Sequence, residues 1–254
     1  MASITPARVL RPACMAARTV ARPLAAIAPR RAYSSIPDSA EQEINPGAPR
    51  WSYTPPQTQA PFSLRTHSTR PAFHNNSDPA LLDQFYIRIL GEGGDRVLNE
   101  ELKWLAVTHK TFDQGRRGFN DRLAALGKRI VQLQASLALV QNPPTEKTAS
   151  RIDEFGRKPF SHPALEGLGN LSSQTKSFLT DRRKLAELAQ KYELQKVMRW
   201  SPRKPEDLRA SGLELVLSHT LYAVVGAVAL EKGGLEANKV AKERILQPLG
   251  LQTS

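Results

Sequence analysis

The sequence has little cysteine and no long apolar run. Its 254 residues contain one cysteine, Cys14, which excludes a disulfide framework and a cysteine-based zinc site. The richest apolar stretch, residues 221–230, is far shorter than the roughly 18 residues that a membrane span requires, so we predict no transmembrane helix. Strand signals such as strict alternation and Asn-Gly turns are also missing. These absences predict an all-α protein.

Basic residues outnumber acidic ones. Lys and Arg total 36 against 24 Asp and Glu, which gives a formal net charge of +12. Such a balance favours a polyanionic partner or compartment, such as nucleic acid, an anionic membrane or an organelle. The largest surplus lies in residues 116–204, which carry eighteen basic and eight acidic side chains.

The first 33 residues contain six arginines and no acidic residue. This composition is typical of the cationic amphipathic helix of a mitochondrial presequence. The run Arg-Ala-Tyr-Ser-Ser at residues 31–35 resembles a matrix-peptidase site, so we predict cleavage after Tyr33. The alternative is an uncleaved basic tail that binds RNA or acidic lipid.

Proline dominates the next segment, residues 34–78, and an eighth proline, Pro79, stands at its edge. Because proline lacks an amide donor and fixes φ, we predict an extended arm without helix or sheet. Its aromatic residues suggest anchors on a neighbouring surface, although a solvated linker is an equal alternative. These aromatic residues are Trp51, Tyr53, Phe62 and Phe73.

Helical signals begin at Pro79 and continue to the end, so residues 79–254 are predicted to form one helical domain. Asp78 and Pro79 mark a helix start, and glycines from Gly91 mark its end. Leucines at three- and four-residue steps from Leu123 to Leu137 predict an amphipathic helix with a buried leucine stripe. Residues 213–230 are apolar nearly all round and predict a central buried helix.

Four stretches together resemble the catalytic domain of ribonuclease III. Residues 105–112 (LAVTHKTF) and 120–127 (NDRLAALG) are similar to the family's helix end and signature helix. Residues 185–189 (LAELA) and 218–237, which end in LEKGGLEA, are similar to its second half. The resemblance covers residues 79–250 in the correct order and implies a ribonuclease III-like helical fold.

The family cleaves double-stranded RNA with Mg²⁺ held by clustered carboxylates, because Mg²⁺ prefers hard oxygen ligands. Here only one of the five matching positions is acidic. We therefore predict no catalytic residues, no metal site and no cofactor, with His219 more often a hydrogen-bonded core histidine than a ligand. The five positions hold Asp121, Ala124, Lys128, His219 and Tyr222.

A basic, inactive member of this family with a presequence implies a structural component of the mitochondrial large ribosomal subunit, located in the matrix. Its partners would be mitochondrial rRNA and ribosomal proteins, with no small-molecule substrate. Ala125 replaces the aromatic residue through which the family dimerises, which favours a heterodimer with another ribonuclease III-like ribosomal protein. The alternatives are a divergent mitochondrial double-stranded-RNA endonuclease and an RNA-processing or assembly factor.

Basic side chains of the positive segment are the candidate RNA contacts. For any single residue a solvated helix face is the simpler interpretation, so the prediction concerns the set. The set comprises Arg116, Arg117, Lys128, Arg129, Arg182, Arg183, Lys184, Lys196, Arg199, Arg203 and Lys204.

Overall fold

Helices form nearly all the regular structure of the chain. The structure is a computed structural model that describes residues 48–59, 73–141, 154–157, 160, 162–165 and 167–251. The helices are α1 (Pro79–Leu90), α2 (Glu100–Val107), α3 (Asp121–Gln141), α4 (Ser173–Leu179), α5 (Arg182–Lys191), α6 (Leu194–Val197), α7 (Leu213–Lys232) and α8 (Gly234–Val240), and a π-helical turn (Ala241–Leu246) continues α8. Within the described ranges the chain has no strand, and a single β-bridge pairs Thr108 with Arg199. The predicted all-α class is confirmed.

The first helix begins and ends where its sequence signals predict. The Asp78 carboxylate accepts a hydrogen bond from the backbone N–H of Ala80, and Pro79 occupies the first helical position. Gly91 ends the helix with a φ of 96°, a conformation that favours glycine. α1 is thus specified locally, before any tertiary contact is considered.

The apolar helix α7 lies at the centre of the core, as predicted. Leu217, Leu221 and Val225 are fully buried, and α2, α3, α5 and α8 all pack against it. At the crossing of α3 and α7, a Cβ on Gly127 would lie 1.9 Å from the carbonyl oxygen of Tyr222, and one on Gly226 would lie 2.0 Å from that of Leu123. The two glycines therefore allow the backbones to approach closely.

The predicted leucine stripe of α3 is wrong in its orientation. Leu126, Leu133 and Leu137 are 38%, 56% and 43% exposed, and the buried face consists largely of small residues around Gly127 and Ala135. The reason is the close helix crossing, which leaves no room for leucine side chains between the backbones. These three leucines consequently lie on the exposed side of α3, whereas Leu123 and Val131 are buried.

The described part of the predicted arm packs on the helical body. Residues 48–59, here called the N-terminal strap, include a short 3₁₀ helix (Pro56–Thr58), and the Trp51 ring stacks on Trp104 with centroids 4.5 Å apart. Farther along, Phe73 meets Trp200 edge to face at 5.9 Å. Trp51 and Phe73 therefore pack on the helical body of the same chain, and anchoring on a neighbouring molecule stays a prediction.

Other predictions about the N-terminal region concern residues that the structure does not describe. The presequence of residues 1–33, its cleavage after Tyr33 and the position of Phe62 all lie outside the described residues. They stay predictions from the sequence.

Two helices, α3 and α7, are long and apolar enough to cross a membrane when judged by length and composition. In α7, 72% of the most apolar window is buried inside the protein, which is typical of a core helix, and in α3 the share is 39%. The prediction of no transmembrane helix rested on continuous apolar runs, whereas α3 and α7 qualify once up to two charged residues are allowed within the apolar stretch.

Candidate nucleic-acid interface

Asp121, the one acidic residue among the five family positions, already has cationic or hydrogen-bonding partners. It begins α3, and its Oδ1 accepts a hydrogen bond of 2.9 Å from Nε2 of His219 on α7. Its Oδ2 lies 3.6 Å from the Lys110 ammonium. The structure therefore brings Asp121 and His219 together, and the carboxylate is engaged within the chain. His219 is hydrogen-bonded, as expected, but its side chain is 29% exposed and not fully in the core.

The remaining positions do not fit Mg²⁺. Ala124 is buried and has no ligand atom, and Lys128 is an exposed cation. Burial raises the pKa of Tyr222 to about 12, so its hydroxyl stays protonated at neutral pH and is a poor metal ligand. Among the residues that the structure describes, no group of three or more His, Cys, Asp or Glu side chains could hold a metal ion.

A second histidine lies beside this pair. The His109 ring is buried, and its centroid lies 5.8 Å from that of His219. Nδ1 of His109 accepts the backbone N–H of Thr111, which fixes the ring at the end of α2. Burial, together with the nearby His219, lowers the pKa of His109 to about 4, so the ring is neutral at physiological pH. The buried, neutral ring therefore packs in the core.

An open cleft of about 640 Å³ adjoins three of the family positions. It lies between α3, the α4–α5 junction and α7. Three basic residues and two acidic residues line it, together with hydroxyl-bearing side chains. The charged residues are Lys128, Arg182, Arg183, Asp181 and Glu214, and the others include Ser177, Thr180, Ser218, His219 and Tyr222.

The sequence predicts Arg199 as an RNA contact, but the residue is buried in the structure and only 5% exposed. Its guanidinium carbon lies 4.3 Å from the Phe112 ring centroid, 5.1 Å from that of Trp104 and 5.9 Å from that of Trp51. Burial and the nearby Arg117 lower the pKa of Arg199 to about 10, which still leaves it charged at pH 7. An arginine enclosed by aromatic rings cannot face a polyanion in this structure.

Arg116 and Arg117 also point inward, toward the N-terminal strap. Both form ion pairs with the Asp113 carboxylate. Arg117 donates to the carbonyl oxygen of Ser52 at 3.0 Å, and Arg116 donates to that of Thr58 at 3.4 Å. Arg116 and Arg117 therefore bind the N-terminal strap and, like Arg199, do not face outward.

Exposed positions account for most of the remaining basic set. Lys196 forms an ion pair with Glu193 at 2.9 Å, and the Lys184 ammonium lies 3.1 Å from the centre of the Phe178 ring. The others are solvent-exposed on α3, on α5 and in the loop before α7. They are Lys128, Arg129, Arg182, Arg183, Arg203 and Lys204.

Sequence reasoning did not identify the acidic and hydroxyl residues of the cleft. Ser177 and Asp181 lie at the α4–α5 junction and Glu214 lies in α7, and none of them matches a motif. Asp113, which pairs with two arginines, was also missed. Its spacing of three and four residues from Arg116 and Arg117 was the one local signal available.

The chain matches one family model over most of its helical domain. The model of the family described as ribonuclease-III-like matches residues 99–249, which is more than half of the chain and runs from the start of α2 past α8. The chain belongs to the ribonuclease III-like family. The matched range includes α3, whose sequence resembles the family's signature helix, and the central α7.

Relatives of this family member include two fungal proteins. The chain is 45% identical over 205 residues to the Neurospora crassa protein named large ribosomal subunit protein mL57, covering 80% of this chain and 76% of that protein. It is 25% identical over 173 residues to the Schizosaccharomyces pombe protein of the same name, covering 66% and 70% respectively.

Among solved structures, the chain is similar to the nuclease domain of ribonuclease III from Campylobacter jejuni. The sequence identity is 20% and the TM-score is 0.46, with 68% of this chain and 97% of that domain covered.

Proposed function

We propose that this chain is a structural component of the large subunit of the mitochondrial ribosome. The observation that carries the proposal is its 45% identity, over most of both chains, to a protein named as a component of the large ribosomal subunit. The surplus of ten positive charges in residues 116–204 is consistent with contacts to rRNA phosphates and with ribosomal proteins as neighbours.

The mitochondrial matrix is the proposed compartment. The acid-free segment of residues 1–33, with its six arginines, supports import into the organelle, and cleavage after Tyr33 would release a mature chain without cysteine. The domain boundaries proposed for this maturation are 1–33 for the presequence, 34–78 for the arm and 79–254 for the helical domain.

We also propose that the domain does not hydrolyse RNA. Support comes from the donor set at the family positions: Asp121 is engaged by His219, Ala124 has no ligand atom, and Lys128 carries the charge that repels a metal cation. Tyr222 remains protonated at neutral pH. The isolated protein is therefore expected to leave a duplex RNA intact in the presence of Mg²⁺. Cleavage that disappears in an Asp121→Ala variant would contradict this proposal and favour the endonuclease alternative.

A heterodimer with a second ribonuclease III-like chain is the proposed arrangement. The exposed leucines Leu126, Leu133 and Leu137 lie on α3, the helix through which the family dimerises, and Ala125 on the same helix is exposed and too small to insert into a partner. An exposed apolar face without this aromatic residue favours a different chain as the partner over a second copy.

Gradient sedimentation of mitochondrial extract tests the ribosomal assignment. The chain is expected to follow the mature large subunit in a stoichiometric amount, measured by mass spectrometry across the fractions. An assembly factor would appear only with precursor particles, and a free enzyme would remain near the top of the gradient. Absence from mature large subunits would overturn the proposal.

A further inference from the structure

The cleft next to the family's metal position presents the wrong charge for a metal and a suitable charge for an anion. We propose that this cleft binds a backbone phosphate of RNA without a metal ion, and that Lys128, Arg182 and Arg183 supply the positive charge. The inference rests on the proposed ribosomal function, since it names the part of the chain that would contact RNA.

The three cations of the cleft have no partners among the residues that the structure describes. Lys128 comes from α3, whereas Arg182 and Arg183 come from the start of α5, and all three line the same space. None of them forms an ion pair or a hydrogen bond through its side chain with any described residue, although Asp181 and Glu214 line the same cleft. Three unpaired cations that converge from two elements are a suitable arrangement for an external anion.

Tyr222 adds a hydrogen-bond donor to this arrangement. The residue is only 7% exposed and lines the cleft, yet its hydroxyl forms no hydrogen bond with any described residue. Because the hydroxyl stays protonated well above neutral pH, it can donate to a phosphate oxygen and carries no repelling charge. A buried aromatic residue with an unused hydroxyl at the cleft supports a polar ligand there.

The charge balance of the cleft favours a polymer over a free ion. Three cations and two carboxylates leave a net charge of +1, which is weak for holding isolated inorganic phosphate. A polyanion gains further contacts from nearby exposed residues such as Arg129, which follows Lys128 on α3. An RNA backbone therefore fits better than a single small anion.

The test measures binding of a 20-base-pair RNA duplex to the full chain by fluorescence anisotropy, with EDTA present. The cleft variant combines Lys128→Ala, Arg182→Ala and Arg183→Ala. It is expected to bind at least tenfold more weakly and to reduce the slope of log K against log salt by about one, since one lost phosphate contact removes just under one.

A matched control removes three exposed basic residues that do not line the cleft: Arg122→Ala, Arg209→Ala and Lys239→Ala. We expect this control to weaken binding by no more than about twofold. Tyr222→Phe is expected to lower affinity two- to fivefold with an unchanged salt slope and melting temperature, because it removes only a neutral donor. If the cleft variant does not fold, as judged by circular dichroism, the single exposed substitution Lys128→Gln replaces it.

Several outcomes would overturn the inference. Equal losses in the cleft and control variants would indicate diffuse electrostatic binding. Loss of wild-type binding in EDTA would indicate a metal-dependent site. Cleft-dependent binding of polyglutamate with unchanged binding of RNA would indicate an acidic peptide as the ligand.

The same variants separate this inference from the proposed function. If the wild-type chain sediments with large subunits but its RNA affinity is insensitive to the cleft, the phosphate site is wrong and the ribosomal role stands. If the wild-type chain is absent from large subunits, the ribosomal role is wrong, whatever the RNA measurements give.

Discussion

Two groups of basic residues in the same positive segment have opposite environments. Arg116, Arg117 and Arg199 are directed inward, toward Asp113, the N-terminal strap and a set of aromatic rings. Lys128 and the arginine pair at the start of α5 line an open cleft and have no ionic partner among the described residues. The first group stabilises the chain, and the second is available to a ligand.

This difference shows that the net charge of a segment does not indicate which of its basic side chains are available to a ligand. All six residues lie within the segment that carries eighteen basic side chains. Three of them pair with Asp113 or are enclosed by aromatic rings, so their side chains are not directed toward an external ligand. Stability and RNA affinity should therefore respond to different substitutions.

The largest expected effect comes from the crossing of α3 and α7, on which both regions depend. Gly127→Val would place carbon atoms within 2 Å of the Tyr222 carbonyl, far inside the normal contact distance of about 3.5 Å. We expect a loss of more than about 4 kcal/mol in the free energy of unfolding, or failure to fold. Urea denaturation followed by circular dichroism measures this loss.

Gly234→Ala is the matched control for this substitution. Gly234 lies at the start of α8, and an added Cβ would meet no atom within 4 Å. Its free energy of unfolding should change by less than about 1 kcal/mol. Similar stability of the Gly127 and Gly234 variants would mean that the close crossing is not formed.

The next effect tests the inward group alone. Arg199→Ala removes a guanidinium that packs against Phe112 and Trp104 and donates to the Trp51 carbonyl oxygen at 3.4 Å. We expect a loss of about 3 kcal/mol in stability, because a cavity and lost cation–π contacts add together, while RNA affinity changes less than twofold. Thermal melting and the duplex-binding assay provide the two measurements.

Arg209→Ala is the control for Arg199, since Arg209 is exposed and its side chain has no partner among the described residues. It should leave stability unchanged. A tenfold loss of RNA affinity in the Arg199 variant without a loss of stability would reverse the assignment of Arg199 to the interior.

The smallest of these effects is a pH dependence from His109. Its pKa is about 4 in the folded chain and about 6.5 when unfolded, so between these values the unfolded state binds more protons. Stability should therefore fall as the pH is lowered from about 6.5 to 4, by about 2 kcal/mol at pH 4.5.

His109→Gln should remove this component. Urea denaturation of the wild type and the variant at pH 7 and pH 4.5 measures it, because other titrating groups largely cancel in the difference. An identical acid response in both proteins would show that His109 is not buried in its neutral form.

Much of the fold could be predicted because its signals are local. The Asp78-Pro79 start, the Gly91 end and the apolar length of α7 each depend on residues close together in the chain. The leucine stripe of α3 failed because helical spacing predicts which residues share a face and does not say which neighbour that face meets. At α3 the small residues meet α7 and Leu123 is buried, but Leu126, Leu133 and Leu137 remain exposed.

The candidate site was predictable only in part, for a similar reason. The sequence alone shows that Ala124 and Lys128 carry no carboxylate, because residue identity does not depend on packing. The pairing of Asp121 with His219 joins residues 98 positions apart and appears only when α3 and α7 pack together. The cleft likewise combines residues from α3, α5 and α7.

The sequence by itself determined the helical class and the family, because these depend on residue identity and local spacing. Tertiary structure alone decided which cations are enclosed and which remain available. The physical reason is that burial and ion pairing depend on distances between segments, and arginines with the same charge become a structural contact or a binding group according to what packs beside them.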